Sequence, residues 1–318
     1  QQQQTADLEM TFENFVAVYV ADMKGRIKEN TWGTKEHILY KKLVPYFGKR
    51  KMSEISSKEV MAWQSEMLNY RDKNGKPYSP VYLKTLHNQL SAVFNHAVRH
   101  YNLKVNPAAQ AGNMGKPKGR EMLFWTKEEY KKFSFEMMDK PVSFYAFEML
   151  YWCGIREGEL LALTPADFNF DKETVTINKS YQRLKGQDVI TSPKTEESNR
   201  TISIPEFLKK EIQDYISRLY ELPEDERIFP MVHEAVQHKL KQVVQKTGVK
   251  KIRVHDIRHS HAAFLINKGV QPLMIKERFG HTDIRITLNT YGHLYPDQQK
   301  VVADMLDDEN IKSSGSTN

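Results

Sequence analysis

The sequence predicts a mainly α-helical protein with a small antiparallel β-sheet, divided into two domains. Its 318 residues exceed the length that one small hydrophobic core needs. Apolar residues recur with helical spacing over residues 11–104 and again after Pro205, whereas three short segments between residues 173 and 204 alternate apolar and polar residues. Mean hydropathy is −0.63 and no run of 18 apolar residues occurs, so we expect no membrane-spanning segment.

The first domain is predicted at residues 10–107 from helix-capping signals. Thr11 and Asn14 lie in capping range of the first turn of a first helix, and a second helix should follow residues 30–34. Residues 45–51 are predicted to form a basic connector, and Ser57 is predicted to cap a third helix.

The clearest helix is predicted over residues 80–100, with Ser79 as its N-cap and Pro80 in its first position. Its apolar stripe consists of Leu83, Leu86, Leu90, Val93, Phe94 and Ala97. The opposite face is polar and partly basic, and it carries Lys84, Asn88, Asn95 and Arg99. Such a face either meets solvent or contacts a charged ligand, and its composition alone favours neither.

The positive charge of the chain is concentrated in its first part. The formal net charge is +7, and residues 1–120 contain 19 Lys and Arg against 10 Asp and Glu, whereas the remaining residues contain 28 against 30. This imbalance indicates either a segment that binds a polyanion or a Lys-rich solvated surface.

A linker is predicted at residues 108–120, where Gly, Pro, Ala and basic residues replace the helical periodicity. A second domain follows at residues 121–296, and its first helix should start at Thr126, which can form a capping box with Glu129. After it, residues 297–312 are predicted to form a C-terminal tail helix with an apolar stripe of Val301, Val302, Met305 and Leu306.

Three strands are predicted in the second domain, at residues 173–178, 188–191 and 200–204. A turn at Lys185-Gly186 should join the first pair, and residues 192–199 should join the second pair. We therefore expect these strands to pair in sequence order.

The single cysteine, Cys153, excludes an internal disulfide and fits a reducing, cytoplasmic location. Its apolar neighbours predict a buried thiol rather than a nucleophile. Because the chain starts with four glutamines instead of Met, we expect it to be a fragment of a longer protein.

Six polar residues of the second domain form the most specific pattern in the sequence: Arg156, Lys194, His255, Arg258, His281 and Tyr291. Two guanidinium groups can bind a phosphate bidentately, two imidazoles can donate to it or move its protons, and a phenol can attack it. The set indicates phosphoryl transfer through a covalent intermediate on tyrosine. Taken singly, the residues have simpler interpretations, such as a pairing of Arg156 with Glu159 at the start of a helix.

His255 and His259 also imitate the His-Glu-x-x-His spacing of a zinc hydrolase. Asp256 is a poor substitute for the glutamate, Arg258 would place a positive charge beside the cation, and no further ligand has the expected spacing. We therefore predict no metal and no other cofactor. His259 and His261 are interpreted as packing or hydrogen-bonding residues.

The six residues resemble the active-site set of the tyrosine recombinases, the phage-integrase-like site-specific recombinases. Supporting stretches are residues 154–163, 193–205 and 281–293. The sequence is most similar in style to integrases of phages and conjugative transposons of Gram-positive bacteria. The resemblance covers nearly the whole chain and implies a helical core-binding domain and a mixed α/β catalytic domain, with the N-terminal arm-binding domain absent.

The resemblance implies that the tyrosine attacks a DNA phosphodiester and forms a 3′-phosphotyrosine, without a metal or ATP. The implied roles are phosphate binding by Arg156, Arg258 and His281, proton donation to the leaving oxygen by Lys194, and deprotonation of Tyr291 with help from His255. A type IB topoisomerase, which relaxes DNA by similar chemistry, is the alternative enzyme. A DNA-binding protein with a degenerate site is disfavoured because all six residues are intact.

The partners implied are double-stranded DNA and further copies of the chain. DNA would meet the polar face of Lys84, Asn88, Asn95 and Arg99, and a homo-oligomer, a tetramer on paired sites, would form when tail helices dock on neighbouring protomers. Packing of the tail on its own domain is the alternative. Accessory excision proteins or host DNA-bending proteins are further possible partners.

Overall fold

The computed structural model describes residues 9–27, 29–114, 122–193, 198–295 and 303–306. The chain divides into two compact units, residues 1–120 and residues 121–318. In the part of the chain that is described, no helix is long and apolar enough to cross a membrane.

The first unit is built mainly of helices in its described residues. They are α1 (Phe12–Met23), α2 (Glu29–Ile38), α3 (Val44–Phe47), α4 (Ser57–Asn69), α5 (Pro80–His100) and α6 (Pro107–Ala111), with a 3₁₀ turn at Lys24–Arg26 and a π-helical turn at Leu39–Leu43. Of the two residues predicted to lie in capping range, Thr11 caps α1, because its side chain accepts a hydrogen bond from the Asn14 amide, and Asn14 lies inside the helix. Phe12 packs between Phe47 and Phe94 in the core of this unit.

The predicted helix at residues 80–100 is confirmed with both bounds. Ser79 accepts a hydrogen bond from the Tyr82 amide, and Pro80 occupies the first turn, where its missing N–H costs nothing. The predicted apolar stripe is buried in the core of the unit: Leu83, Leu86, Leu90, Val93, Phe94 and Ala97.

Three predicted boundaries in this unit are wrong. Residues 30–34 lie inside α2 instead of preceding it, and Pro45 lies in the first turn of α3, which a proline tolerates. Ser56, not Ser57, caps α4, because it stands three residues before Glu59 and the two form a reciprocal capping box.

Helix α6 occupies the first residues of the predicted linker. Asn106 accepts hydrogen bonds from the amides of Ala108 and Ala109, and Pro107 follows it in the first helical position. Residues 115–121 fall outside the described residues.

The second unit combines helices with two small antiparallel sheets. Its helices are α7 (Lys127–Phe135), α8 (Pro141–Cys153), α9 (Glu157–Leu160), α10 (Glu206–Ser217), α11 (His233–Thr247), α12 (Val254–Asn267), α13 (Pro272–Phe279) and α14 (Ile284–Tyr291). The capping box of Thr126 and Glu129 is confirmed. Helix α8 packs against α10 and α12, and Cys153 at its end is buried as predicted.

The predicted pairing of strands in sequence order is wrong. The strands are β1 (Phe168–Asn169), β2 (Thr174–Ile177), β3 (Ser180–Leu184), β4 (Gln187–Thr191) and β5 (Arg200–Ser203). One sheet has the order β1-β2-β5, and β3-β4 is a separate hairpin that turns at Lys185-Gly186. Alternation identifies a strand but not its partner, and the segment 180–184, which supplies the partner of β4, was not recognised as a strand.

Candidate active site

A glycine turn at the end of α8 leads the chain into Arg156, which lines the site. Gly154 adopts a left-handed conformation with φ of 63°, which glycine favours. A Cβ added there would collide with the rings of His261 and Phe279. The chain then enters α9 through Arg156, whose amide donates to the Glu159 carboxylate at 2.8 Å.

Glu159 connects two arginines, Arg156 and Arg200. Its carboxylate accepts from Arg156 Nη1 at 2.7 Å and from Arg200 Nη2 at 2.8 Å. Burial alone raises the pKa of this carboxyl, but hydrogen bonds and charge from Arg200, with the charge of Arg156, lower the pKa to about 2. The carboxylate is therefore ionised at neutral pH and fixes Arg156, whose side chain is 39% exposed.

Arg258 is held by main-chain carbonyls. It projects from the first turns of α12, donates from Nη1 to the Gly154 carbonyl at 2.6 Å and from Nη2 to the Phe279 carbonyl at 2.7 Å, and lies 3.9 Å from the Phe279 ring centroid. The residue is 3% exposed. Burial, together with the charge of Arg156, lowers the pKa of Arg258 to about 9, so the group remains a cation at neutral pH.

His281 follows the end of α13 and is oriented by a buried hydroxyl. Its Nδ1 lies 2.8 Å from Thr287 Oγ1, and its Nε2 lies 3.4 Å from Arg258 Nη2. Burial and the charge of Arg258 lower the pKa of His281 to about 4, so the ring is neutral at pH 7. In the tautomer whose Nδ1 accepts from Thr287, the Nε2–H is available to donate to a bound oxygen.

Tyr291 ends α14 and is 2% exposed. Its Oη lies 2.9 Å from His259 Nδ1, and its ring meets Phe279 edge to face. Burial raises the pKa of the phenol to about 12. At neutral pH the group is therefore protonated, and it needs a proton acceptor to become a nucleophile.

A cavity of about 350 Å³ brings five of the six predicted residues together. Arg156, His255, Arg258, His281 and Tyr291 all line it, and His259 and Ser198 join them. The sixth residue, Lys194, lies outside the described residues. The roles of all six stay predictions.

Three residues of the site were missed by sequence reasoning: Glu159's second partner Arg200, Thr287 behind His281, and His259 beside Tyr291. Only His259 had a signal, since it stands one helical turn after His255 and so faces the same side of α12. The sequence predicted a packing or hydrogen-bonding role for His259 but not its partner, the Tyr291 hydroxyl.

The zinc-hydrolase alternative has no support in the geometry. The rings of His255 and His259 meet edge to face with centroids 5.1 Å apart. Among the residues that the structure describes, no group of three or more His, Cys, Asp and Glu side chains is placed to hold a metal ion.

The predicted DNA-contact residues lie on the surface of the first unit. Asn88, Asn95 and Arg99 are exposed and Lys84 is half-buried. The side-chain oxygens of two of them accept hydrogen bonds within the unit, Asn88 from Asn113 and Asn95 from Asn106. The face is thus a polar surface of α5 on which two of the four side chains are held by hydrogen bonds within the unit.

Family models match both units of the chain. The phage integrase family matches residues 124–298, which contain all six predicted catalytic residues, and the N-terminal SAM-like domain of phage integrases matches residues 11–68. The first match alone spans more than half of the chain. The chain belongs to the phage integrase family. It is a tyrosine recombinase and resembles integrases of Gram-positive mobile elements.

Curated relatives agree with this assignment. The integrase is 31% identical to the ICEBs1 integrase of Bacillus subtilis (strain 168), over 94% of this chain and 83% of that relative. It is 26% identical to a XerC-like tyrosine recombinase of Caldanaerobacter subterraneus subsp. tengcongensis, over 81% of this chain and 72% of that protein.

Solved structures share the fold of the integrase. The Tn1549 transposon integrase (residues 82–397), solved with transposon right end DNA, aligns with a TM-score of 0.78 at 20% identity, over 94% of this chain and 100% of that one. A lambda integrase tetramer bound to a Holliday junction aligns with a TM-score of 0.66 at 17% identity, over 94% and 82% of the two chains. At these identities the likeness shows the fold alone.

Proposed function

We propose that this integrase is a site-specific DNA recombinase that integrates and excises a mobile element. It cleaves and rejoins DNA strands through a 3′-phosphotyrosine on Tyr291. The observation that carries the proposal is the cavity that Tyr291 lines together with Arg156 and Arg258. The relatives support it, since they include integrases of a phage and of mobile elements and a transposon transposase.

The cavity supplies what the transition state of phosphoryl transfer needs. Arg156 and Arg258 donate to the non-bridging oxygens of the scissile phosphate, on which negative charge increases. The Nε2–H of His281 adds a third donor. Because the tyrosine ester retains the energy of the cleaved phosphodiester, a 5′-hydroxyl can attack it and restore DNA without ATP.

Proton transfer needs two further groups. Lys194 is our candidate for the acid that protonates the leaving 5′-oxygen, which is a poor leaving group as an alkoxide. His255 is exposed at the cavity, next to His259, and burial of part of its ring and the charge of Arg258 lower its pKa. A neutral His255 can accept a hydrogen bond from the incoming DNA.

Duplex DNA is the proposed substrate, and the first unit is its second binding surface. The Tn1549 integrase structures are complexes with DNA, and the basic excess of residues 1–120 suits a polyanion. The exposed face of α5 that carries Lys84, Asn88, Asn95 and Arg99 is the proposed contact. Lysine and arginine contacts with phosphates supply most of the affinity.

The active assembly is proposed to be a homo-oligomer, a tetramer on paired sites; the lambda integrase structure, a tetramer bound to a Holliday junction, supports this. Met305 and Leu306 are 58% and 65% exposed, which leaves them available to a neighbouring protomer. Val301 and Val302, the rest of the predicted apolar stripe, lie outside the described residues. Accessory excision or DNA-bending proteins and a cytoplasmic location complete the proposal. No observation favours the topoisomerase alternative.

Replacement of the nucleophile tests the proposal. With a nicked DNA substrate that traps the covalent intermediate, Tyr291→Phe should bind DNA but form no adduct on denaturing gels. Tyr295→Phe is the matched control, because the Tyr295 hydroxyl donates to the Val270 carbonyl outside the cavity. An adduct that persists in Tyr291→Phe and disappears in Tyr295→Phe would overturn the assignment.

A further inference from the structure

The Tyr291 hydroxyl has a specific partner that is not among the six predicted residues. Its Oη lies 2.9 Å from His259 Nδ1, and the two rings meet edge to face with centroids 5.5 Å apart. Both groups are largely enclosed, since Tyr291 is 2% exposed and the His259 side chain is 12% exposed. Because little water can reach these buried groups and compete, the hydrogen bond holds the phenol in one orientation.

A buried carboxylate lies on the far side of the His259 ring. His259 Nε2 is 3.9 Å from Asp256 Oδ1, too far for a direct hydrogen bond but close enough for a strong charge interaction. Asp256 is fully buried and accepts from the Arg253 amide at 2.8 Å and from Arg253 Nη2 at 2.6 Å. This anion favours a proton on Nε2, which leaves the lone pair of Nδ1 directed at the phenol.

His255 occupies a different place relative to the nucleophile. Within the described residues it lines the same cavity, but its ring contacts the ring of His259 rather than the Tyr291 hydroxyl. A proton acceptor must lie within hydrogen-bond reach of the proton that it removes. His259 meets that condition.

We propose that His259 is the general base of this recombinase. As Tyr291 Oη forms its bond to phosphorus, the phenolic proton passes to His259 Nδ1 and the bond from phosphorus to the 5′-oxygen breaks. The 5′-oxygen leaves with a proton from the acid, for which Lys194 is the candidate. In the rejoining step the 5′-hydroxyl attacks the phosphotyrosine and gives its proton back to that acid. The bond from phosphorus to Tyr291 Oη breaks, and the imidazolium of His259 returns its proton to Tyr291.

The charges around His259 fit this cycle. Burial and the neighbouring His255 lower the pKa of His259 to about 4, with Arg253 and Arg258 acting in the same direction against Asp256. The resting ring is therefore neutral and able to accept. The scissile phosphate brings a negative charge that raises this pKa, so that the imidazolium is stabilised between the phosphate and Asp256 only while the substrate is bound.

The proposal rests on the proposed function of Tyr291 as nucleophile. An asparagine substitution of His259 distinguishes a general base from a residue that only positions the phenol. In His259→Asn the side-chain oxygen can replace Nδ1 as hydrogen-bond acceptor but cannot take a proton. We expect His259→Asn to bind DNA normally and to form the covalent adduct roughly 100-fold or more slowly at neutral pH. The rate of the variant should rise about tenfold per pH unit in alkaline solution, where hydroxide removes the proton instead.

The matched control is His293→Asn, an exposed histidine that is not among the residues that line the cavity, and it should retain the single-turnover rate. A second measurement uses a phenol that needs no base: fluorotyrosine at position 291, whose pKa is lower, should restore cleavage by His259→Asn. The proposal is overturned if His259→Asn reacts within about threefold of the native rate, if fluorotyrosine gives no rescue of His259→Asn, or if it rescues His255→Asn instead. Loss of adduct in Tyr291→Phe under the same conditions confirms the nucleophile independently of these outcomes.

Discussion

The active site holds its two arginines in different ways. Arg258 is 3% exposed and is fixed by the neutral main-chain carbonyls of Gly154 and Phe279, whereas Arg156 has a 39% exposed side chain and is fixed by the carboxylate of Glu159. Carbonyl oxygens orient a guanidinium without cancelling its charge, but a carboxylate neutralises part of it. Arg258 is therefore the stronger source of positive charge, and Arg156 is the part of the site that depends on an ionised acid.

The largest expected effect is on the cleavage rate, and it should differ between lysine substitutions of the two arginines. Arg258→Lys loses the planar fork that reaches both carbonyls and a phosphate, so we expect the single-turnover cleavage rate to fall by roughly 1,000-fold. Arg156→Lys keeps a charge beside Glu159 and should lose roughly 10- to 100-fold. Equal losses in the covalent-adduct assay would show that the mode of anchoring does not matter.

Removing the shared carboxylate should affect folding more than any exposed ion pair does. Glu159→Gln leaves Arg200, whose side chain is 6% exposed, without its counter-charge, and we expect a loss of about 3–5 kcal/mol in the free energy of unfolding. Urea denaturation measures it. The control is Glu206→Gln, which breaks an exposed pair with Lys210 and should leave the urea midpoint almost unchanged. Similar midpoints for the two variants would contradict a structural role for the network.

Falling pH should weaken the anchoring of Arg156 before that of Arg258, because Arg156 is held by the ionised carboxylate of Glu159. The pKa of Glu159 is lowered to about 2 from an ordinary value of 4.5, so its contribution to stability is complete above pH 4.5 and is lost as the pH falls towards 2. The full contribution corresponds to about 3 kcal/mol. The unfolding free energy of the native protein should therefore fall more steeply over this range than that of Glu159→Gln. Parallel curves would mean that another group is responsible.

The smallest effect should come from an arginine outside the cavity. Arg99 is exposed on the polar face of α5, where a phosphate contact is solvated and screened. Arg99→Ala should weaken DNA binding only several-fold and reduce the slope of log affinity against log salt concentration by about one. Fluorescence anisotropy at several salt concentrations measures both, and an unchanged slope would remove Arg99 from the proposed DNA surface.

Spacing along the chain predicted a set of residues whose combined chemistry is specific, and their catalytic roles stay predictions. His255, Arg258, His281 and Tyr291 all belong to the last third of the chain, and Arg156 follows a Cys-Gly helix end that is visible in the sequence. All five line one cavity. The signals for these residues are local: a helix cap, an i, i+3 pair, a glycine before a histidine.

Contacts between distant segments could not be predicted in the same way. The hydrogen bond between His259 and Tyr291 joins residues 32 apart, and the pairing of β2 with β5 depends on a hairpin inserted between them. Arg200 gave no sign of its partner Glu159, since both residue types are common on surfaces. Such features depend on tertiary packing, which pattern and propensity do not encode.

Gly154 serves both the stability of the fold and the geometry of the active site. Its left-handed turn terminates α8, and its carbonyl binds Arg258, while the surrounding rings leave no room for a side chain. A saturation library at this position should therefore return glycine alone, both when it is selected for recombination and when it is selected for heat tolerance. Directed evolution of new target sites has to leave this position unchanged and seek its diversity elsewhere.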